Sequence, residues 1–166
     1  MLSNFSPITP ESPFGAVDPG PIIAWVFDYW CAMADRLGRI PGRQHVDPLA
    51  IAAENPEALP HLWLLDVERN PYRFRCRLVG GALKRAGAVH RVGDYLDTLV
   101  DHSRPNNLQQ RLIAVCERHM PDFRGGPPQL PHDRYVAEVH RLSLPLARDG
   151  TTVDMILNVS DYVWMR

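Results

Sequence analysis

Residues 72–79 alternate apolar side chains with arginines, and the mostly apolar residues 61–68 lie just before them. A turn-forming Asn-Pro pair separates the two segments. Period-two alternation is typical of half-buried strands, so the two segments predict an antiparallel β-hairpin. Asp66 and Glu68 then share a face with the arginines, and we expect them to pair with those nearest the turn. The opposite face is apolar and must be covered. It carries Trp63, Leu65, Val67, Tyr72, Phe74, Cys76 and Leu78.

Residues 21–37 predict a long helix, because apolar residues recur at helical spacing between Pro21 and Gly38. Aromatic residues occupy several of its sides, so we expect it to be covered on more than one face. A second copy of the chain is one such cover, and the helix therefore predicts a homodimer. The residues expected at that contact are Trp25, Tyr29 and Trp30.

The remaining pattern alternates short helices with strands. Asp47 and Pro48 predict the start of a short helix, as N-cap and first helical residue. Further helices are expected at 82–87, 94–99 and 105–119, and strands at 123–124, 135–146, 151–160 and 162–165. This order predicts an α+β fold, a mainly antiparallel sheet with helices over one face. Residues 1–20 are rich in Pro, Ser and Gly and predict a flexible arm, and 21–166 predict a single domain.

Charge and cysteine content narrow the class of protein. A net charge of -1 gives no electrostatic case for binding nucleic acid or an anionic membrane. The three cysteines are widely spaced and odd in number, which predicts reduced thiols in a cytoplasmic protein. The first residues lack the pattern of a signal peptide, and no segment has the apolar length of a membrane span.

Several stretches together resemble a known family. They are LPHLWLLDVE at 59–68, YRFRCRLVG at 72–80 and LPLARDGTTVDMIL at 144–157, preceded by Tyr29-Trp30 and Asp47-Pro48. In order and spacing, from residue 21 to residue 163, they resemble the single-domain PAS proteins of alphaproteobacteria. The resemblance implies a five-stranded antiparallel sheet with helices over one face. It also implies a non-catalytic sensory module that binds a small molecule or partner and signals by association.

The best candidate site is a cavity between the hairpin, the helix at 105–119 and the last strand. The alternative is that the same side chains simply fill the core. The candidate lining residues are Trp63, Leu65, Phe74, Cys76, Leu78, Leu112, Val115, Cys116, Met155 and Leu157.

The sequence contains only weak signals for a metal or cofactor site. Cys116 and His119 have the spacing of two zinc ligands, but no second pair accompanies them, so Cys116 is expected in the core and His119 in solvent. The resemblance also places His119 near the haem-binding histidine of some PAS proteins, although its position at the helix end disfavours haem. The Asn-Cys-Arg motif of flavin photosensors is missing. His90 and His102 are expected at the surface or hydrogen-bonded, and Asp133, Arg134, His140 and Arg141 at ordinary charged strand positions.

Two other functions stay open. One is a pure interaction or dimerisation module without a ligand. The other is a small enzyme of cone-shaped α+β fold that acts through buried His, Asp and Tyr, and a polar pocket with a strongly shifted acid or base would favour it. The sequence has neither a nucleophile elbow nor a phosphate-binding loop, so we expect no enzymatic activity.

Overall fold

The computed structural model describes residues 11–88, 90–100 and 106–166, and its fold is α+β, as predicted. The helices are α1 (Pro21–Leu37), α2 (Pro48–Glu54), α3 (Gly81–Arg85) and α4 (Leu108–Arg118), with single 3-10 turns at Leu59–His61 and Leu96–Thr98. The strands are β1 (Leu62–Glu68), β2 (Arg73–Val79), β3 (Asp122–Gly126), β4 (Val136–Leu146) and β5 (Met155–Trp164). Within the described part of the chain, no helix is long and apolar enough to cross a membrane.

The five strands form one antiparallel sheet in the order β2-β1-β5-β4-β3. Both predicted hairpins, β1-β2 and β4-β5, are present, and a ladder between β1 and β5 joins them. The end of the chain differs from the prediction, because one continuous strand from Met155 to Trp164 replaces two shorter ones. The middle strand, expected around Phe123, forms one edge of the sheet as β3.

The arginine face of the first hairpin has different ion pairs from those predicted. The register places Asp66 opposite Arg75 and Glu68 opposite Arg73, so the shared face is confirmed. An irregularity between Leu64 and Leu65 skips Arg77 in the ladder, and Asp66 pairs with that arginine at 3.0 Å. The partners that sequence reasoning missed lie in the segment around the second 3-10 turn. Arg73 donates to Asp97 at 2.8 and 2.9 Å and stacks on Tyr95, which donates to Glu68 at 2.8 Å.

Helices cover both faces of the sheet. Beneath α4, Phe74 and Cys76 are 1% and 2% exposed, so the apolar face of the hairpin is covered as predicted. On the other face, Phe14 joins α1 to the sheet, since its ring lies 5.2 Å from Phe27 and 5.0 Å from Phe123 between ring centroids. Trp30 of α1 is fully buried and donates its indole N–H to the carbonyl of Pro145 at 3.0 Å.

The predicted N-terminal arm belongs in part to the domain. Residues 1–10 lie outside the described residues, but Phe14 is half-buried and packs against the core. Residues 11–20 therefore contribute to the cover of the sheet, and the domain begins before Pro21.

We expect the Trp30 hydrogen bond to anchor α1. Trp30→Phe keeps an aromatic ring but removes the buried donor and some volume, so it should lower the free energy of unfolding by roughly 1–3 kcal/mol. The matched control is Trp25→Phe, the same change at a half-buried position on the same helix. Urea unfolding measures both, and an equal loss in the two variants would show that the buried bond contributes nothing particular.

Candidate functional site

The sheet face beneath α4 carries a cluster of polar side chains, whereas the face beneath α1 is apolar. Directly paired residues point to the same side of a sheet. The register places Asn158 between Trp63 and Ser143, so these three side chains form one row on the α4 side. The next row on the same side consists of Ser160, Arg141 and Arg124.

A small cavity lies between this polar face, the helices α3 and α4, and the segment 129–132. Its volume of about 30 Å³ has room for one or two water molecules. We call it the polar cavity. It is lined by Trp63, Leu83, His90, Leu108, Arg124, Gln129, Leu130, His132, Val139, Arg141, Ser160 and Tyr162.

Arg141 is a buried cation at the floor of the cavity, with 6% of its surface exposed. Its guanidinium donates to Ser143 at 3.2 Å, to Gln129 at 2.8 Å and, more weakly, to Asp122 at 3.5 Å. Burial lowers the pKa of Arg141 to about 10, so the side chain remains charged at neutral pH. The expectation that Arg141 is an ordinary charged strand position is therefore wrong.

Positive charge exceeds negative charge around the cavity. Asp122 is already held by two hydrogen bonds of 2.8 Å from Arg111 of α4. Arg124 donates to the carbonyl of Pro127 at 2.8 Å, and burial together with nearby Arg111 lowers its pKa. No carboxylate is found among the described residues that line the cavity. Three arginines thus surround a single carboxylate.

Four buried polar atoms at or beside the cavity have no hydrogen-bond partner among the described residues. They are both ring nitrogens of His90, the amide nitrogen of Asn158 and the hydroxyl of Tyr162, which lies near Ser160 but outside hydrogen-bond geometry. Buried polar groups are nearly always paired, and each unpaired one costs roughly 1–3 kcal/mol. The cavity therefore offers hydrogen-bonding capacity that the described residues do not use.

His90 and His132 are both held neutral by their surroundings. Burial, and then the neighbouring His132, lower the pKa of His90 to about 4. Burial also lowers the pKa of His132, whose Nδ1 lies 2.7 Å from the carbonyl of Leu130 and must therefore donate to it. A neutral His90 has one donor and one acceptor to offer. The prediction that His90 is exposed or hydrogen-bonded is wrong, because it is 3% exposed and has no hydrogen-bond partner among the residues that the structure describes.

Most of the residues predicted to line a cavity do not line this one. Of the candidate residues, Trp63 lines it. Met155 and Leu157 lie on the opposite side of the sheet, since they pair with Asp66 and Leu64 of the α1 face. The others are part of the hydrophobic core or, for Leu78, half-buried against it: Leu65, Phe74, Cys76, Leu78, Leu112, Val115 and Cys116.

The polar residues of the second hairpin carried a signal that sequence reasoning missed. Arg141 and Ser143 in β4, like Asn158 and Ser160 in β5, recur at every second position between leucines and valines. Period two in two paired strands places all four on one face. The pattern does not say whether that face meets solvent or a helix, and here it meets the helices.

The metal and haem signals of the sequence are not supported by the side-chain positions. His119 is exposed and ends α4 in a left-handed conformation with φ of 57°. Cys116 is buried as predicted, and burial raises the pKa of its thiol to about 11. Among the described residues, no group of three or more His, Cys, Asp and Glu could hold a metal ion. His102 lies outside the described residues.

The aromatic residues expected at a dimer contact divide into two kinds. Trp30 is fully buried within its own chain, so the prediction that it contacts a partner is wrong for this residue. Trp25 and Tyr29 are half-buried and stack on each other with ring centroids 5.3 Å apart. These two leave part of their surface on α1 uncovered.

The buried His90 predicts a pH dependence of stability. Above a pH of about 6.5 both states carry a neutral ring, and below it the unfolded state binds a proton that the folded state refuses until about pH 4. Stability should therefore fall as the pH drops through this window, by roughly 3 kcal/mol for one such group. His90→Phe should flatten the difference in urea unfolding between pH 7 and pH 4, whereas His119→Gln at the exposed position should not. Superimposable pH profiles for His90→Phe and the natural chain would contradict the burial of a neutral ring.

Comparison with known proteins adds no family to this description, because no protein-family model matches the chain and no curated protein matches it.

Proposed function

We propose that the chain is a non-catalytic regulatory domain that binds a small molecule in the polar cavity. The observation that carries the proposal is the set of unpartnered buried polar atoms on His90, Asn158 and Tyr162. A bound molecule with its own donors and acceptors satisfies the groups of His90 and Tyr162, which line the cavity, and recovers the free energy lost when they were buried.

A binding role fits the site better than acid–base catalysis. A general base works best with a pKa near the operating pH, and the pKa of His90, about 4, makes it a weak base at neutral pH. Burial raises the pKa of the Cys76 thiol to about 12, which disfavours a thiolate nucleophile. The hydroxyl of Ser143 donates to Asn158 at 2.6 Å, and that of Ser160 accepts from the Trp63 indole at 2.9 Å. The polar pocket agrees with the small-enzyme alternative, but these groups include no activated base or nucleophile.

The regulatory part of the proposal comes from the resemblance to single-domain PAS proteins and stays tied to it. The five-stranded antiparallel sheet is compatible with that family without establishing membership. Within such a scheme, ligand binding changes how the chain associates with another protein, because a ligand shifts whichever state it binds more tightly.

Native mass spectrometry of freshly purified protein tests the ligand. We expect an adduct that is lost on denaturation and that Tyr162→Phe retains less well, because the variant lacks the unpartnered hydroxyl. The ligand-free variant should be at least as stable as the natural chain, since an unpaired buried group has been removed. The control is Tyr135→Phe, where the residue is 52% exposed. A spectrum with the polypeptide mass alone, together with no thermal shift from any compound of a metabolite library, would overturn the proposal.

Association through α1 is the second part to be tested. We expect the chain to form a dimer through the partly uncovered Trp25–Tyr29 stack, with Trp25→Glu giving a folded monomer because a charge there resists burial. Light scattering coupled to size exclusion measures the mass, and circular dichroism checks that the variant is folded. A monomeric natural chain would remove this contact from the proposal and leave the ligand site untouched.

A further inference from the structure

We propose that the ligand of the polar cavity is a small carboxylate whose charged group lies between Arg124 and Arg141. This inference rests on the proposed function and names the chemical class of its ligand.

The first argument is charge. Arg124 and Arg141 lie side by side across the β3-β4 ladder and both line the cavity. In the described part of the chain, Asp122 supplies the one carboxylate that reaches Arg141, and it is already shared with Arg111. Arg141 is buried and Arg124 is partly buried, so the two neighbouring cations repel each other, and an anion between them removes that repulsion.

The second argument is the geometry of the available donors. Arg141 uses three different nitrogens in its bonds to Ser143, Gln129 and Asp122, so two of its five N–H groups have no partner among the described residues and can face a ligand. A guanidinium presents its N–H groups in a plane that matches a planar carboxylate. His90 and Tyr162 offer further hydrogen bonds to the same ligand at the cavity wall.

The third argument is size. A cavity of about 30 Å³ admits only a compact charged group, and a carboxylate is the smallest organic anion of this kind. An open groove of about 960 Å³ adjoins it and shares four of its lining residues: Arg124, Gln129, Leu130 and His132. A carboxylate in the cavity can therefore carry a short substituent that extends into this groove.

The test measures binding of matched probes to the full chain. Formate, acetate and propionate are compared with acetamide, a neutral molecule of the same shape as acetate, and with inorganic phosphate, all at constant ionic strength. We expect saturable thermal shifts and calorimetric binding with the carboxylates and none with acetamide or phosphate. Loss of one charge-assisted contact in Arg124→Gln should weaken acetate binding by about 10- to 100-fold.

Arg118→Gln is the matched control. Arg118 is exposed at the end of α4 and lines neither the polar cavity nor the adjoining groove, so its replacement should leave acetate affinity unchanged. Arg124 is preferred to Arg141 for the main variant, because the hydrogen bonds of Arg141 join it to three other side chains and its loss can unfold the chain. Tyr162→Phe provides a second variant that keeps every charge and should weaken acetate binding more moderately.

The outcomes separate this inference from the proposed function. Equal binding of acetamide and acetate would overturn the carboxylate and leave a ligand-binding cavity in place. Saturable binding of phosphate alone would overturn it in favour of a phosphorylated ligand. Unchanged acetate affinity in Arg124→Gln, or no binding by any probe, would also overturn it, while the native mass spectrum decides independently whether the cavity holds a ligand.

Discussion

The burial of Arg141 is the interaction on which the arrangement around the site depends. A guanidinium that is 6% exposed needs partners at every side, because an unpaired buried charge costs several kcal/mol. Those partners come from three places: Ser143 on its own strand, Gln129 on the segment after β3, and Asp122 on β3. Asp122 also holds Arg111, so the same network fixes α4 above the edge of the sheet.

A polar network on one face of a sheet requires a strong apolar contact on the other. The α1 side supplies it with fully buried leucines and valines from β1, β4 and β5 and with the indole of Trp30. Unpaired groups such as His90 lower the stability of the domain, and proteins tend to retain such costs at functional sites. One face therefore supplies apolar packing, and the other carries the polar groups of the proposed binding site.

How much of the structure the sequence predicts depends on whether each feature is set by neighbouring residues or by residues distant in sequence. Asp47, Gly38 and Gly150 mark a helix start, a helix end and a hairpin turn through their own backbone chemistry, so these elements were predictable. The burial of His90 was not, because it lies in a connection and its surroundings come from residues distant in sequence. The Asp66–Arg77 pair was missed since a ladder irregularity, which alternation alone cannot show, skips one residue.

Because the strands have side chains on both faces of the sheet, a ligand in the polar cavity would be linked to α1 through strand β3. Phe123 and Arg124 are consecutive residues of β3 and point to opposite faces. Arg124 lines the cavity, whereas Phe123 contacts Phe14, which in turn contacts Phe27 of α1. Both residues share one edge-strand backbone, so in the proposed domain a ligand at Arg124 acts on the same strand that packs through Phe123 against Phe14. In the proposed domain, the edge strand therefore connects ligand binding to the helix whose aromatic surface is available for association.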